Sequence, residues 1–188
     1  MSQPLNIIGI SGSLRALSHS RILLRAIADF LPANTGFHEL DIGALPHYNE
    51  DLDGHRSPDS VVNARQVVER ADAVVIVTPE FNHGLPGVLK NTLDWLSRPA
   101  FASCFIKKPV MFATVSPGAL GGVRAQYQMR ETLSSMLCQL YPLVEIAVTH
   151  IDRKFEGARL VDDATSGHIR KVTGSFLEQA QLASGTAA

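Results

Sequence analysis

The sequence predicts an α/β domain built on a five-stranded parallel sheet, and three observations carry that expectation. Strand and helix patterns alternate from end to end, five of each. The most continuous β-branched run, AVVIVT, is apolar at every position before its threonine, which suits a central strand covered on both faces. No linker, repeat or low-complexity run divides the 188 residues, and their 45% hydrophobic content suits one domain, residues 1–188, with a real core.

The first strand is the apolar run Leu5–Ile10. After a small polar loop, Ile22, Leu23, Ala26, Ile27, Phe30 and Leu31 keep a helical stripe that stops at Pro32. Residues 36–42 alternate as a second strand, and Gly43 to Ser57 reads as an exposed loop. Ser57-Pro58-Asp59 supplies an N-cap, a first-turn proline and a first-turn acid for a second helix. AVVIVT delivers the loop PEFNHGLPG and a helix from Pro86 to Leu96. PVMFATV at 109–115 delivers SPGALGG and a helix from Val123 to Leu140. A last strand covers Leu143 to Thr149, residues 150–162 connect, and a helix bearing Ile169, Val172, Phe176 and Ala180 closes the chain before a frayed tail at 184–188. Right-handed crossovers make a flavodoxin-like three-layer α/β/α sandwich, strand order 2-1-3-4-5, the natural arrangement. That order sets the loops at 11–20 and 79–87 side by side at the switch point.

Composition narrows the function. A formal charge of -1 gives no support for nucleic acid or membrane surfaces as partners. No apolar run reaches transmembrane length and the opening MSQPLN has no basic leader, so the expected location is the cytoplasm. Cys104 and Cys138 form no C-x-x-C pattern and read as reduced apolar fillers. The seven histidines lack H-x-x-x-H spacing, so no metal is expected.

The loop after the first strand, Ser11-Gly12-Ser13-Leu14-Arg15 with Ser18 and Ser20, offers free N–H groups, short hydroxyls and one guanidinium at a helix N-terminus. A phosphate monoester needs that set. The plain alternative is a polar turn. No G-x-G-x-x-G or P-loop motif is present, and neither a thiol nor clustered aspartates head the loop, so it would hold a phosphate rather than attack it. That points to a bound cofactor. In the second loop, Pro79, Gly84, Pro86 and Gly87 contort the backbone enough to wrap a flat ligand, with Asn82 near its polar edge and Phe81 or His83 near its face. The alternative is a rigid turn that starts a helix. The third loop, Thr114 to Gly122, reads equally as a donor of amides to a flavin's pyrimidine edge or as a glycine-rich connector.

The segments GSLRALSHS, TPEFNHGLPGVLKNTLDWLSRP and SPGALGGVRAQYQMR resemble the NADPH-dependent FMN reductases of flavodoxin-like fold, a family that includes quinone, azo-dye and chromate reductases. The resemblance runs from about residue 5 to 175 and is most specific in the second segment. It implies that Ser13, Arg15, Ser18 and Ser20 hold the FMN phosphate. It further implies that Pro79, Glu80, Phe81, Asn82 and His83 border the isoalloxazine, with Ser116 near its pyrimidine end. Family members usually carry asparagine where Ser20 stands and tyrosine where Phe81 stands, and His83 corresponds to tyrosine or histidine. The implied activity is hydride transfer from NADPH or NADH to FMN, then to a quinone, azo compound, metal oxyanion or similar acceptor, by ping-pong and with no catalytic side chain. Two alternatives stand beside it: a flavodoxin-type electron carrier, which the charge of -1 disfavours, and a reductase that releases reduced FMN to a monooxygenase. The resemblance also implies a homodimer or homotetramer, with Arg124, Tyr127 and Glu145 at subunit contacts. Leu85, Val88, Leu89, Leu93, Trp95 and Leu96 on one short helix read either as more apolar surface than one sheet contact needs or as ordinary core.

Overall fold

The computed structural model describes residues 4–185. Its sheet contains β1 (Asn6–Ser11), β2 (Gly36–Glu39), β3 (Ala73–Pro79), β4 (Val110–Val115) and β5 (Ile146–Val148), all parallel in the order β2-β1-β3-β4-β5. The flavodoxin-like expectation therefore holds. Alternate strand residues feed two cores. Ile8, Ile10, Val74 and Ile76 pack under α2 (Asp59–Arg70), α3 (Gly87–Leu96) and α4 (Val123–Ser135). On the other face Ile7, Val75, Val77 and Ala113 pack under α1 (His19–Ala28) and α5 (Asp163–Gly185), against Leu23, Leu24, Ile27, Ile169 and Phe176. Because β1, β3 and β4 are adjacent and co-directional, their carboxyl ends open on one edge of the sheet. Among the described residues no helix is long and apolar enough to cross a membrane.

Several elements differ from expectation, each for a local reason. The loop at 43–57 is not simply exposed. It folds into three short 3-10 turns, Ile42–Ala44, Glu50–Leu52 and Gly54–Arg56, with Ile42 and Leu45 buried beside α3. At α2, Pro58 rather than Ser57 takes the cap position, its carbonyl accepting from Val61 and Val62 N–H, while the Ser57 hydroxyl is held by Arg65 and Asp53. α4 stops at Ser135 instead of Leu140, because Leu137 turns left-handed (φ 60°) and the chain then runs beside the start of β4, with Lys107 N–H on Leu137 O and Val110 N–H on Gln139 O. Only Ile146–Val148 of the expected last strand pairs. The connector at 150–162 holds a 3-10 turn, Ile151–Arg153, and a hairpin of β6 (Phe155–Glu156) with β7 (Arg159–Leu160). α5 runs to Gly185, and residues 186–188 of the expected tail lie outside the described residues.

The apolar side of α3 is core rather than surplus surface. Leu89, Leu93, Trp95 and Leu96 are 0% exposed, because the helix is sandwiched between the sheet and the 43–57 loop. Both cysteines are free and partly buried against the same core, and burial pushes the Cys104 thiol to about 11 and the Cys138 thiol to about 12.

Candidate functional site

β1 leads into the first loop at Gly12, whose N–H donates to Val77 O at 2.8 Å. A Cβ there would lie 2.4 Å from Thr78 Oγ1, so only glycine lets the two strand ends come this close. The chain then loops out through exposed Leu14 to Leu17 and returns to start α1 at His19. Ser18 is the N-cap, its Oγ accepting from Arg21 N at 3.2 Å. The Ser11, Ser18 and Ser20 hydroxyls are buried and lie near one another, Ser20 being 3.3 Å from each of the other two. Those contacts are long for O–H···O bonds. The N–H groups of His19 and Ser20 have no partner among the described residues, and the Arg15 guanidinium pairs with no carboxylate there. Two unmatched helix-terminal amides, a cluster of loosely bonded hydroxyls and an unpaired guanidinium converge on one spot, which is the donor set a phosphate ester requires.

The second loop is set by a two-residue hairpin. Phe81 N–H donates to Gly84 O (3.0 Å) and Gly84 N–H to Phe81 O (2.9 Å), with Asn82 at φ 49° and His83 at φ 65° between them. Two consecutive positive φ values are the mark of a type I′ turn. Asn suits the first position, but His at the second is strained by roughly 1–2 kcal/mol. Glu80, just before the turn, sends its carboxylate away from the first loop: Oε2 accepts from Arg124 N (2.9 Å) and Ala125 N (3.2 Å) at the start of α4. On the far side of the turn, Leu85 N–H donates to Gln128 Oε1 at 2.6 Å.

The third loop leaves β4 at Val115. Ser116 N–H donates to Val148 O, and Ser116 Oγ accepts from Gly118 N at 3.0 Å. His150 and Ile151 N–H donate back to Gly118 O and Ser116 O, latching the loop to the segment after β5. Thr114 Oγ1 donates to Gly121 O, which fixes the turn into α4.

The three loops enclose a cleft of about 460 Å³. Its walls include Ser13, Arg15, Ser18, Ser20, Pro79, Glu80, Phe81 and Ser116, all expected from sequence. Asn82 and His83 are not among the lining residues, because the left-handed turn carries them to its exposed tip. Sequence reasoning missed His19, Val115, Pro117 and Ile151. Ile151 follows β5 and carries no local signal. His19 was recoverable as the first residue after an N-cap serine. A flavin mononucleotide fits these walls: they combine unmatched anion donors with the apolar surfaces of Phe81, Pro117, Val115 and Ile151. Arg124, Tyr127 and Glu145 do not form a network within one chain. Arg124 reaches Glu80 (3.7 Å), Glu145 pairs with Arg130 (3.3 Å), and Tyr127 is exposed.

The family model of NADPH-dependent FMN reductases matches residues 5–152. A quinone reductase of Pseudomonas putida is 33% identical over 182 residues, covering 97% of this chain and 98% of its own. An NAD(P)H-dependent FMN reductase of Pseudomonas aeruginosa is 36% identical over 166 residues, 87% of this chain and 88% of its own. Among solved structures, the flavoenzyme NAD(P)H:(acceptor) oxidoreductase FerB of Paracoccus denitrificans superposes with a TM-score of 0.85 at 29% identity, covering 94% of this chain and 97% of that one.

Proposed function

We propose that this chain, which belongs to the NADPH-dependent FMN reductase family, holds FMN in the cleft above β1, β3 and β4 and uses it to pass electrons from NADPH or NADH to a quinone-type acceptor. The activity is that of an NAD(P)H-dependent FMN or quinone reductase. One observation carries the assignment of the site: the unmatched donors of Arg15, His19 N and Ser20 N beside the Ser18 and Ser20 hydroxyls.

When bound, FMN supplies the chemistry, taking a hydride from the nicotinamide and delivering electrons to the acceptor. The chain's own residues do the rest. Arg15, Ser13, Ser18 and Ser20, with the two helix-terminal amides, would hold the phosphate. The backbone of Pro79 to Phe81 and Ser116 would border the ring. Phe81, 62% exposed at the rim, offers an apolar face against which a donor and then an acceptor can stack. A shared open face makes the two half-reactions alternate, which is ping-pong kinetics. Asn82 and His83 at the turn tip would meet the incoming nicotinamide rather than the ring. No side-chain acid or base is needed, so the chain's contribution is alignment.

Assembly follows from the same reading. A homodimer or homotetramer would cover the groove of about 510 Å³ between α3 and α4, where Phe101 is 86% exposed, and would give Tyr127 a neighbour. Light scattering at micromolar concentration checks it, and a mass near 20.4 kDa would count against assembly.

The test of function is NAD(P)H consumption by the FMN-loaded protein with and without a simple benzoquinone. Rapid oxidation that requires both FMN and quinone is the expected result. The absence of NAD(P)H oxidation under any condition contradicts it.

A further inference from the structure

The turn that rims the cleft closes on its own Phe81–Gly84 backbone pair, but that pair alone does not fix where the turn sits. Asn82 and His83 are both left-handed without being glycine, and the turn tip is solvent-exposed, so packing does not hold it. Both of its ends are instead fastened to one helix. Glu80, on the entering side, accepts from the Arg124 and Ala125 N–H groups. Gln128, one helical turn further along α4, accepts from Leu85 N–H on the leaving side at 2.6 Å. The orientation of the Gln128 amide is fixed by this contact, because only its oxygen can receive an N–H. Gly84 provides independent support. A Cβ at that position would lie 2.6 Å from Gln128 Oε1, so the glycine leaves the space in which the amide sits.

We infer that Gln128 is a positioning residue of the reductase: with Glu80 it clamps the Phe81–Gly84 turn to α4 and so sets the shape of the rim against which the nicotinamide donor stacks. The inference rests on the functional reading above, in which Phe81 and the turn tip face the incoming NAD(P)H. Gln128 itself lies outside the residues that line the cleft, so its effect must pass through Leu85 and the turn. A loosened rim removes contacts made equally in the bound and reacting complexes. It should therefore raise KM for NAD(P)H while leaving kcat at saturating donor and the affinity for FMN, anchored by its phosphate on the first loop, little changed.

Three variants of the full chain separate this from a general loss of structure. Gln128→Ala removes the acceptor, Gly84→Ala pushes the amide aside, and Gln128→Glu keeps an acceptor oxygen in place. Hydrogen exchange at the Leu85 amide reads the clamp directly and needs no turnover. The expected result is exchange about tenfold faster in Gln128→Ala and Gly84→Ala, the size of one lost N–H···O bond, with parent-like exchange in Gln128→Glu. The KM for NAD(P)H should rise by about the same factor in the first two variants and recover in the third. The Gly84→Ala change should add nothing once Gln128 is already alanine, since both act on one contact. Unchanged Leu85 exchange in Gln128→Ala would overturn the clamp, and a KM as high in Gln128→Glu as in Gln128→Ala would overturn its positioning role. A parent protein that oxidises no NAD(P)H would overturn the functional reading instead, and the exchange result would then decide the clamp by itself.

Discussion

Two loops of this chain look alike in sequence and do opposite things. Residues 11–20 and 43–57 are both polar, and both contain glycine and short hydrogen-bonding side chains. The second is closed upon the protein. Pro46 O accepts from Asn91 Nδ2 (2.9 Å) and Trp95 Nε1 (2.8 Å), and Tyr48 N–H donates to Asn91 Oδ1 (2.7 Å). Arg65 ties Asp53 (2.9 Å) and Ser57 (3.1 Å) to the Trp95 carbonyl. Asp41 and Asn49 each cap their own 3-10 turn. The first loop leaves donors over, in the His19 and Ser20 amides and the Arg15 guanidinium. Polar composition therefore does not mark a binding loop here, and neither does a lone unpaired cation such as exposed Arg56; unmatched donors gathered on one cleft do. The His19 and Ser20 amides belong to a half-buried and a buried residue, where a donor without a partner costs stability that a bound anion would restore, while exposed Arg15 stands free to reach such an anion.

The comparison breaks most visibly if each loop is attacked at its cation. Arg65→Met removes four hydrogen bonds, three from a charged donor to carbonyl or hydroxyl oxygens and one to Asp53, and should lower the free energy of unfolding by about 2–3 kcal/mol. Denaturant melts read that loss, and flavin affinity of the folded fraction should stay as in the parent. Arg15→Ala should do the reverse, leaving the melt of the FMN-free protein unmoved while FMN binding weakens by roughly ten- to a hundredfold. A large stability loss in Arg15→Ala, or a large affinity loss in Arg65→Met, would erase the distinction between the loops.

A smaller effect sharpens it. Burial raises the Asp53 pKa, but the hydrogen bond and charge of Arg65, with bonds from Gly54 N–H and Ser57, outweigh it, and the carboxyl is held below its ordinary 3.8. A carboxyl depressed in the folded state stabilises fully above its unfolded value and loses that contribution as pH falls through the folded one. Parent and Asp53→Asn should thus differ in urea midpoint at neutral pH and begin to converge only as pH falls below about 3.8. A gap that persists unchanged in acid would remove Asp53 from the account of this loop.

Much of this was legible in the sequence, and the exceptions share a cause. The strands were plain because runs such as AVVIVT are apolar on both faces. The end of α4 was misplaced because Leu137 and Leu140 continue its apolar period, although the start of β4 recruits that stretch through backbone bonds that no side-chain pattern records. α3 looked over-supplied with apolar residues because the 43–57 loop, its second packing partner, was read as solvent-exposed. In the site, Ser18, Ser20 and Arg15 were legible because helix start and anion donors coincide locally. Ile151, the Glu80 cap on α4 and the Gln128 contact were not, since each joins residues more than 30 positions apart. The side chains of Asn82 and His83 suit a ligand border, but the left-handed conformation of their own turn places them at its tip and off the cleft wall.

The central claim is that the unmatched donors of the first loop are there for a phosphate. Fluorescence titration of the flavin-free protein with FMN and with riboflavin, which differ only by that group, tests it most directly. FMN should bind at least about tenfold more tightly than riboflavin, as charge-assisted hydrogen bonds imply, and that preference should shrink toward parity in Arg15→Ala. Equal affinity of the parent for the two flavins would contradict it.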